Sequence, residues 1–170
     1  MIETIRGNIL SLKEGILVQG CNCQGVMGSG IARSIRDQWN DAYRAYRQHY
    51  EKVGLKLGDI VTVAGRAWET DPTVSRHVNL ISNQLPEKLI LVNAMTQDNY
   101  GRDPSTVYVD YDGLAAAFAR IRVIARDSKL SVHFPLIGCG LANGKWDEVA
   151  TRIDQMLGFE IKKTLWVLPE

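Results

Sequence analysis

Three histidines and three cysteines are all that this 170-residue chain offers of the side chains that most often hold transition metals. The cysteines, Cys21, Cys23 and Cys139, do not assemble a site. Cys21-x-Cys23 is tighter than a zinc knuckle, and no Cys/His pair elsewhere completes it. Neither a metal nor a cofactor is expected. An odd number of thiols fits a reducing compartment better than a disulfide framework, so a cytoplasmic protein is expected, with the thiols read as small buried or loop-lining residues. Long apolar runs are also missing. None approaches the roughly 20 residues that cross a bilayer, and no signal peptide is expected, since Met1-Ile2-Glu3 opens directly into structured-looking sequence. Charge of one sign is not in excess, since the net charge is +1. That speaks against sequence-independent nucleic-acid binding, which needs clustered positive charge. There are no repeats, low-complexity tracts or linkers, and the length suits one domain over residues 1–170, expected to act as a monomer.

Glycine, by contrast, is concentrated where it can matter. The apolar run Ile16-Leu17-Val18 has the composition of a buried strand, and Ile31 to Arg36 reads as a helix. Between them lie Gly20, Gly25, Gly28 and Gly30. Glycine lets the backbone turn through positive φ and lets a ligand approach main-chain N–H groups with no Cβ in the way. A glycine-rich turn from strand to helix also aims the free N–H groups of the helix start at whatever sits in front, which suits an anion. No Gly-Lys-Ser/Thr ends this loop and no G-x-G-x-x-G is present, so neither familiar phosphate fingerprint applies.

Strands are expected at Ile2–Arg6, Ile60–Ala64, His77–Ser82, Lys88–Ala94, Leu130–Leu136 and Lys163–Leu168, with Gly65–Ser75 as a loop or hairpin. A helix over about Asn40–Val53 carries Tyr43, Tyr46 and Tyr50, whose spacing reads as a packing stripe. Met95 to Pro104 is polar, turn-rich and follows a strand, which makes it a candidate site loop. Asp110 stands before the long helix striped by Leu114, Phe118, Ile121 and Ala125, in a place where aspartate also serves as an N-cap. His133 is read as a satisfied core histidine. A second glycine loop, Ile137-Gly138-Cys139-Gly140-Leu141-Ala142-Asn143-Gly144, again stands between a strand and a helix, the latter striped by Trp146, Val149, Ile153 and Leu157. Alternating strands and helices predict an α/β sheet covered on both faces, with ligands at the carboxyl ends of the strands. Two glycine loops at that end can hold a diphosphate from both sides with backbone amides.

Gly7-Asn8-Ile9-Leu10, the Cys21-to-Ala32 loop with its Asn22 and Gly28-Ser29-Gly30, and Pro135-Leu136-Ile137-Gly138-Cys139-Gly140-Leu141 resemble the macrodomain family. The likeness is nearest to the small stand-alone ADP-ribose 1″-phosphate phosphatases and terminal ADP-ribose hydrolases. It covers nearly the whole chain and implies a three-layer α/β/α macrodomain with a mixed central sheet and ADP-ribose as the ligand. It implies that Asn22 hydrogen-bonds the distal ribose. Gly28, Ser29, Gly30 and Ile31 would line one side of the phosphates, and Gly138, Cys139, Gly140 and Leu141 the other. Many members carry Gly-Asp-Ile where this chain has Gly7-Asn8-Ile9; Asn8 is read either as an acceptor for the adenine amino group or as the cap of a turn. Three positions depart from the family's pattern. Gln19 stands where the phosphatase branch can carry histidine, Ala142 stands where the hydrolases carry aspartate, and Lys145 replaces the aspartate of Gly-Gly-Asp-Trp. No lysine lies between Lys88 and Lys129, so the lysine-dependent hydrolase route lacks its parts. The implied activity is metal-free hydrolysis of ADP-ribose 1″-phosphate, with Asp110 and Asp103 as candidate bases. The alternatives are a non-catalytic reader or scavenger of ADP-ribose, or a hydrolase removing ADP-ribose from a macromolecule.

Overall fold

The computed structural model describes residues 1–169. Along the chain run β1 (Glu3–Arg6), β2 (Glu14–Asn22), α1 (Gly30–Gln38), α2 (Asn40–Val53), β3 (Ile60–Ala64), α3 (Pro72–Ser75), β4 (Leu80–Ile81), β5 (Lys88–Gln97), α4 (Tyr111–Ser128), β6 (Val132–Phe134), α5 (Trp146–Leu157) and β7 (Lys163–Val167). Seven strands make one sheet in the order β1-β7-β6-β2-β5-β3-β4. Every neighbouring pair is parallel except β3 with β5, so the sheet is mixed.

The apolar runs explain the layering. Successive side chains on a strand point to opposite faces. In β2, Ile16 and Val18 join one core with Ile90, Val92, Phe134 and the α4 and α5 residues Phe118, Ile121, Val149 and Ile153. Leu17 faces the other way, into a second core with Leu89, Leu91, Val61, Ile35 and Tyr46. Covering both faces produces a three-layer α/β/α molecule, and continuous apolar strands are its signature. Ile16, Leu17 and Val18 are fully buried, each worth about 1.5–3 kcal/mol of burial. No helix among the described residues is long and apolar enough to cross a membrane.

Several expected boundaries move. The strand over His77–Ser82 shrinks to Leu80–Ile81, because Asn79 takes up β3's backbone differently: its side-chain oxygen accepts from Thr62 N–H at 2.8 Å. Gly65–Ser75 is no hairpin; a 3-10 turn at Arg66–Trp68 leads to α3, which Asp71 caps by accepting from Thr73 N–H at 3.1 Å. The strand expected over Leu130–Leu136 is Val132–Phe134, stopping before Pro135, which has no N–H to donate. β5 runs three residues beyond Ala94, to Gln97.

That extension positions the site. β2 and β5 stay in register from Glu14 opposite Lys88 to Cys21 opposite Met95, then slip so that Asn22 faces Gln97. Such a bulge bends and twists a strand locally. β2, β5 and β6 are parallel, so all three leave the sheet at one edge, where their following loops meet.

Candidate functional site

The first wall winds around one side chain. Asn22 Nδ2 donates to Val26 O at 2.8 Å, while its Oδ1 accepts from Gln24 N–H at 2.9 Å. The hydroxyl of Tyr46, reaching in from α2, lies 2.7 Å from Asn22 O and 2.9 Å from Asn22 Oδ1. Burial pushes the Tyr46 hydroxyl's pKa far up, so it stays a donor. Gly25 turns with φ +76° against the Tyr50 ring, which a Cβ would meet at 2.7 Å. The chain then runs extended through Ser29 and enters α1 at Gly30, φ +60°. Ser29 makes no side-chain cap, and the first N–H groups of any helix lack intrahelical acceptors. The donors of this helix start are therefore available at the wall formed by Gly28 to Ala32.

The second wall is the loop after β6. Gly138 turns at φ +75°, and Gly144 N–H donates to Gly138 O at 2.6 Å, closing the loop on itself. A Cβ on Gly138 would lie 2.7 Å from Val109 Cγ2, and one on Gly144 would lie 2.5 Å from Gly138 O. Cβ atoms on Gly30 and Gly140 would meet nothing within 4 Å. Gly138 and Gly144 thus serve protein packing, whereas Gly30 and Gly140 border open space.

A third wall, Tyr100-Gly101-Arg102, comes from the loop after β5. Asn143 ties it to the second wall by donating from Nδ2 to Asp103 O at 3.0 Å and Thr106 O at 2.7 Å. The three walls, with Thr96 and Gln97 at the base, enclose a cavity of about 550 Å³, within the range of small-ligand sites. Arg102 is the one charged residue lining it among the described residues. Cys21 also lines it, but burial, then the neighbouring Cys23, pushes that thiol up, away from reactive thiolate. Burial likewise lifts the Cys23 thiol to about 11. Among the described residues no group of three or more His, Cys, Asp or Glu side chains could hold a metal.

Of the residues expected from sequence, Asn22, Gly28, Ser29, Gly30, Ile31, Gly138, Gly140 and Leu141 line the cavity together. Asn8, Ile9, Cys139, Asp103 and Asp110 do not. Asn8 caps the 3-10 turn Ile9–Ser11, accepting from Leu10 N–H at 3.0 Å, and Ile9 is buried in the α1-side core. The Cys139 thiol turns back to Ile137 O at 3.4 Å. Asp110 is the N-cap of α4, its Oδ1 accepting from Gly113 N–H at 2.7 Å. Asp103 holds a turn, its carboxylate accepting from Ser105 N–H at 2.9 Å, Ser105 Oγ at 2.7 Å and Thr106 Oγ1 at 3.0 Å. Those bonds, the Ser105 N–H first, keep its carboxyl below the ordinary range. Gln19 is fully buried, with its Nε2 donating to Asn93 Oδ1 at 2.7 Å, and does not reach the cavity.

Sequence reasoning missed the role of Tyr46, and it placed Thr96, Gln97 and Arg102 in the candidate site loop Met95 to Pro104 without singling any of them out. The one available signal was the polar end of β5, a place where ligand-facing side chains gather in open parallel sheets.

No family model matches the chain. The DNA ADP-ribosyl glycohydrolase of Thermus aquaticus is 26% identical over 167 residues, covering 98% of this chain and 41% of its own length. The ADP-ribose 1″-phosphate phosphatase of Meyerozyma guilliermondii is 26% identical over 166 residues, covering 86% of this chain and 89% of its own length. The chain spans about two fifths of the length of the first curated relatives it matches, at 41% and 38%. Among solved structures, the macrodomain of Thermus aquaticus DarG superposes with a TM-score of 0.71 at 23% identity, covering 100% of this chain and 99% of that one. At that identity the likeness is one of fold.

Proposed function

We propose, from the premise that this chain is a macrodomain, that its cavity binds ADP-ribose or a derivative and hydrolyses ADP-ribose 1″-phosphate to ADP-ribose and phosphate. The observation that carries the binding half is the pairing of two glycine loops across one cavity, one of them the uncapped start of α1. Backbone N–H groups at a helix start attract anions without a cationic side chain. Asn22 lies at the base of the first loop with its amide bonded to Tyr46 and lines the cavity, which supports reading it as the residue that meets the distal ribose.

Hydrolysis needs a water delivered to phosphorus, a proton taken from it, and a proton returned to the departing ribose oxygen. Asp110 is the better candidate to take the proton, because its cap uses Oδ1 alone and its N–H is bonded to Thr96 O at the cavity base, at 2.7 Å. Asp103 has both carboxylate oxygens engaged and a depressed pKa, which weakens it as a base. The relative named for this phosphatase activity supports the choice of reaction. A second reading, a non-catalytic reader or scavenger, is favoured by one observation: among the described residues no carboxylate, lysine or histidine lines the cavity. A third, removal of ADP-ribose from a macromolecule, has the name of the Thermus aquaticus relative behind it. Free thiols at Cys21, Cys23 and Cys139 suit a reducing compartment such as the cytoplasm, where the chain is proposed to act as a monomer.

Calorimetric titration with ADP-ribose, followed by phosphate release from its 1″-phosphate in EDTA, tests the proposal. Binding of ADP-ribose well above adenosine, with metal-free turnover, is the expected result. Equal affinity for adenosine would overturn the two-loop grip, and activity restored only by added magnesium or zinc would overturn metal independence. Asp110→Asn keeps the cap, since asparagine caps as well as aspartate. It should bind ADP-ribose and release phosphate about 100-fold or more slowly. Parental turnover in that variant reduces Asp110 to a cap, and a parent that binds without turnover selects the reader.

A further inference from the structure

We propose that Arg102 is a specificity determinant, selecting ligands that carry a phosphate monoester on the terminal ribose over the same ligand without it. The inference rests on the ADP-ribose reading above.

The cavity is otherwise a neutral cradle. Its donors are main-chain N–H groups and uncharged side chains, which serve a diphosphate equally well whether or not a further phosphate is attached. Discrimination by charge therefore falls to the one ionised group on the wall. A phosphate monoester adds about 1.5 to 2 negative charges near neutral pH, and a guanidinium offers it a planar, two-pronged donor set.

Position supports the assignment. Asn22 and Gln97 face each other across β2 and β5, and Cys23 N–H donates to Asp98 O at 3.0 Å. The chain leaving β5 therefore emerges beside Asn22, the residue placed on the distal ribose, and reaches Arg102 only five residues after Gln97. The loop is braced there. A Cβ on Gly101 would lie 2.2 Å from the Tyr108 hydroxyl, so only glycine permits this contact, and Asp103 N–H donates to the same oxygen at 3.2 Å. Asn143 holds the loop from the other side.

Availability supports it too. Arg102 makes no hydrogen bond or ion pair with the other described residues. Its neighbour Asp103, an obvious counter-ion, turns its carboxylate onto Ser105 and Thr106 instead. Arg102 thus lines the cavity from a braced stretch of backbone, with an exposed side chain and no ion-pair partner among the described residues.

The test uses the full chain and two ligands, ADP-ribose and its 1″-methylenephosphonate analogue, which keeps the charge and resists hydrolysis. The parent should prefer the phosphonate by about tenfold or more, the scale of a hydrogen bond between charged groups, and the preference should shrink as salt rises. Arg102→Met should bring the ratio of the two affinities to within about twofold of one, with ADP-ribose affinity lowered less than about threefold. Arg102→Lys should retain part of the preference, as a point charge without the fork. A ratio unchanged in Arg102→Met, or equal losses for both ligands, overturns the proposal while leaving the ADP-ribose reading intact. A parent that binds neither ligand overturns that reading itself. If Arg102→Met instead weakens only an ADP-ribosylated single-stranded oligonucleotide, the residue reads nucleic-acid phosphate and the proposal fails. Unchanged thermal melting of both variants confirms that an exposed side chain, and not the fold, was altered.

Discussion

Tyr46 shows how one atom can connect a helix to a ligand site. Its ring packs with Tyr43 and the α1-side core, as a tyrosine stripe would, but its hydroxyl orients Asn22 from below. Tyr46→Phe keeps the ring and removes only that donor, leaving Asn22 O short of a partner in a buried place while Oδ1 keeps the Gln24 N–H. An unsatisfied buried polar group costs about 1–3 kcal/mol, so urea denaturation should show a loss of that size. ADP-ribose affinity should fall with it, because the Asn22 amide loses one of the bonds that orient it and keeps only those to Gln24 and Val26. A stability loss with unchanged affinity would mean that Asn22 does not contact the ligand. The spacing of Tyr43, Tyr46 and Tyr50 announced the packing and nothing more. The hydroxyl's role depends on Asn22, 24 residues earlier in the chain, and no local pattern reports such a meeting. Asp110 and Asp103 failed to separate for a similar reason. Capping and base catalysis call for the same carboxylate, and only the bonds it makes distinguish them.

At the scale of loops and helices, the two glycine loops were legible and the division of labour inside them was not. Which glycine faces ligand and which faces protein depends on what lies across the gap, such as Val109 opposite Gly138. The division can be measured. Gly138→Ala must place a side chain at φ +75° and against Val109, so it should lower stability by about 2 kcal/mol or more. A Cβ at Gly140 meets open space, so the unfolding free energy of Gly140→Val should stay within about 0.5 kcal/mol of the parent. Its new branches fill the cavity, and ADP-ribose affinity should drop at least about tenfold. Reversed outcomes would show that Gly140, not Gly138, is the packing glycine. The long periodic helices α2, α4 and α5 stood out from their apolar stripes. Short pieces did not: α3 and β4 have too few residues to show a period, and α3 is set by a local cap, Asp71 on Thr73, while Asn79 on Thr62 is a tertiary contact beside β4.

For the molecule as a whole, alternating strands and helices pointed to a layered α/β sheet, while the strand order and the antiparallel β3 required the structure, since either is compatible with the same pattern of elements. The sheet also carries a pH dependence. His133 of β6 accepts from Trp166 Nε1 of β7 at Nδ1, 2.9 Å, so the neutral ring keeps its proton on Nε2, 2.8 Å from Ser131 Oγ. Burial, then Lys162, lowers its pKa from about 6.5 to about 4. Between those values the unfolded chain binds the extra proton and the folded one does not, so stability should fall as pH drops from about 6.5 to about 4, by about 2 kcal/mol. Asp103, Asp127 and Asp154, with lowered pKa values, hold their contribution down to the ordinary carboxylate range and lose it only below. Denaturation midpoints at pH 7 and pH 4.5 should therefore converge in His133→Asn; an unchanged gap would place the proton elsewhere. The wall built of main chain has a further consequence, for how such a protein is dissected. Alanine scanning truncates side chains and leaves every amide in place, so a scan of this cavity would register Asn22 and Arg102 and pass silently over the cradle between them. Ester-for-amide replacement at Gly30, Ile31 and Gly140 removes the N–H itself, and is the chemistry that can make the cradle visible.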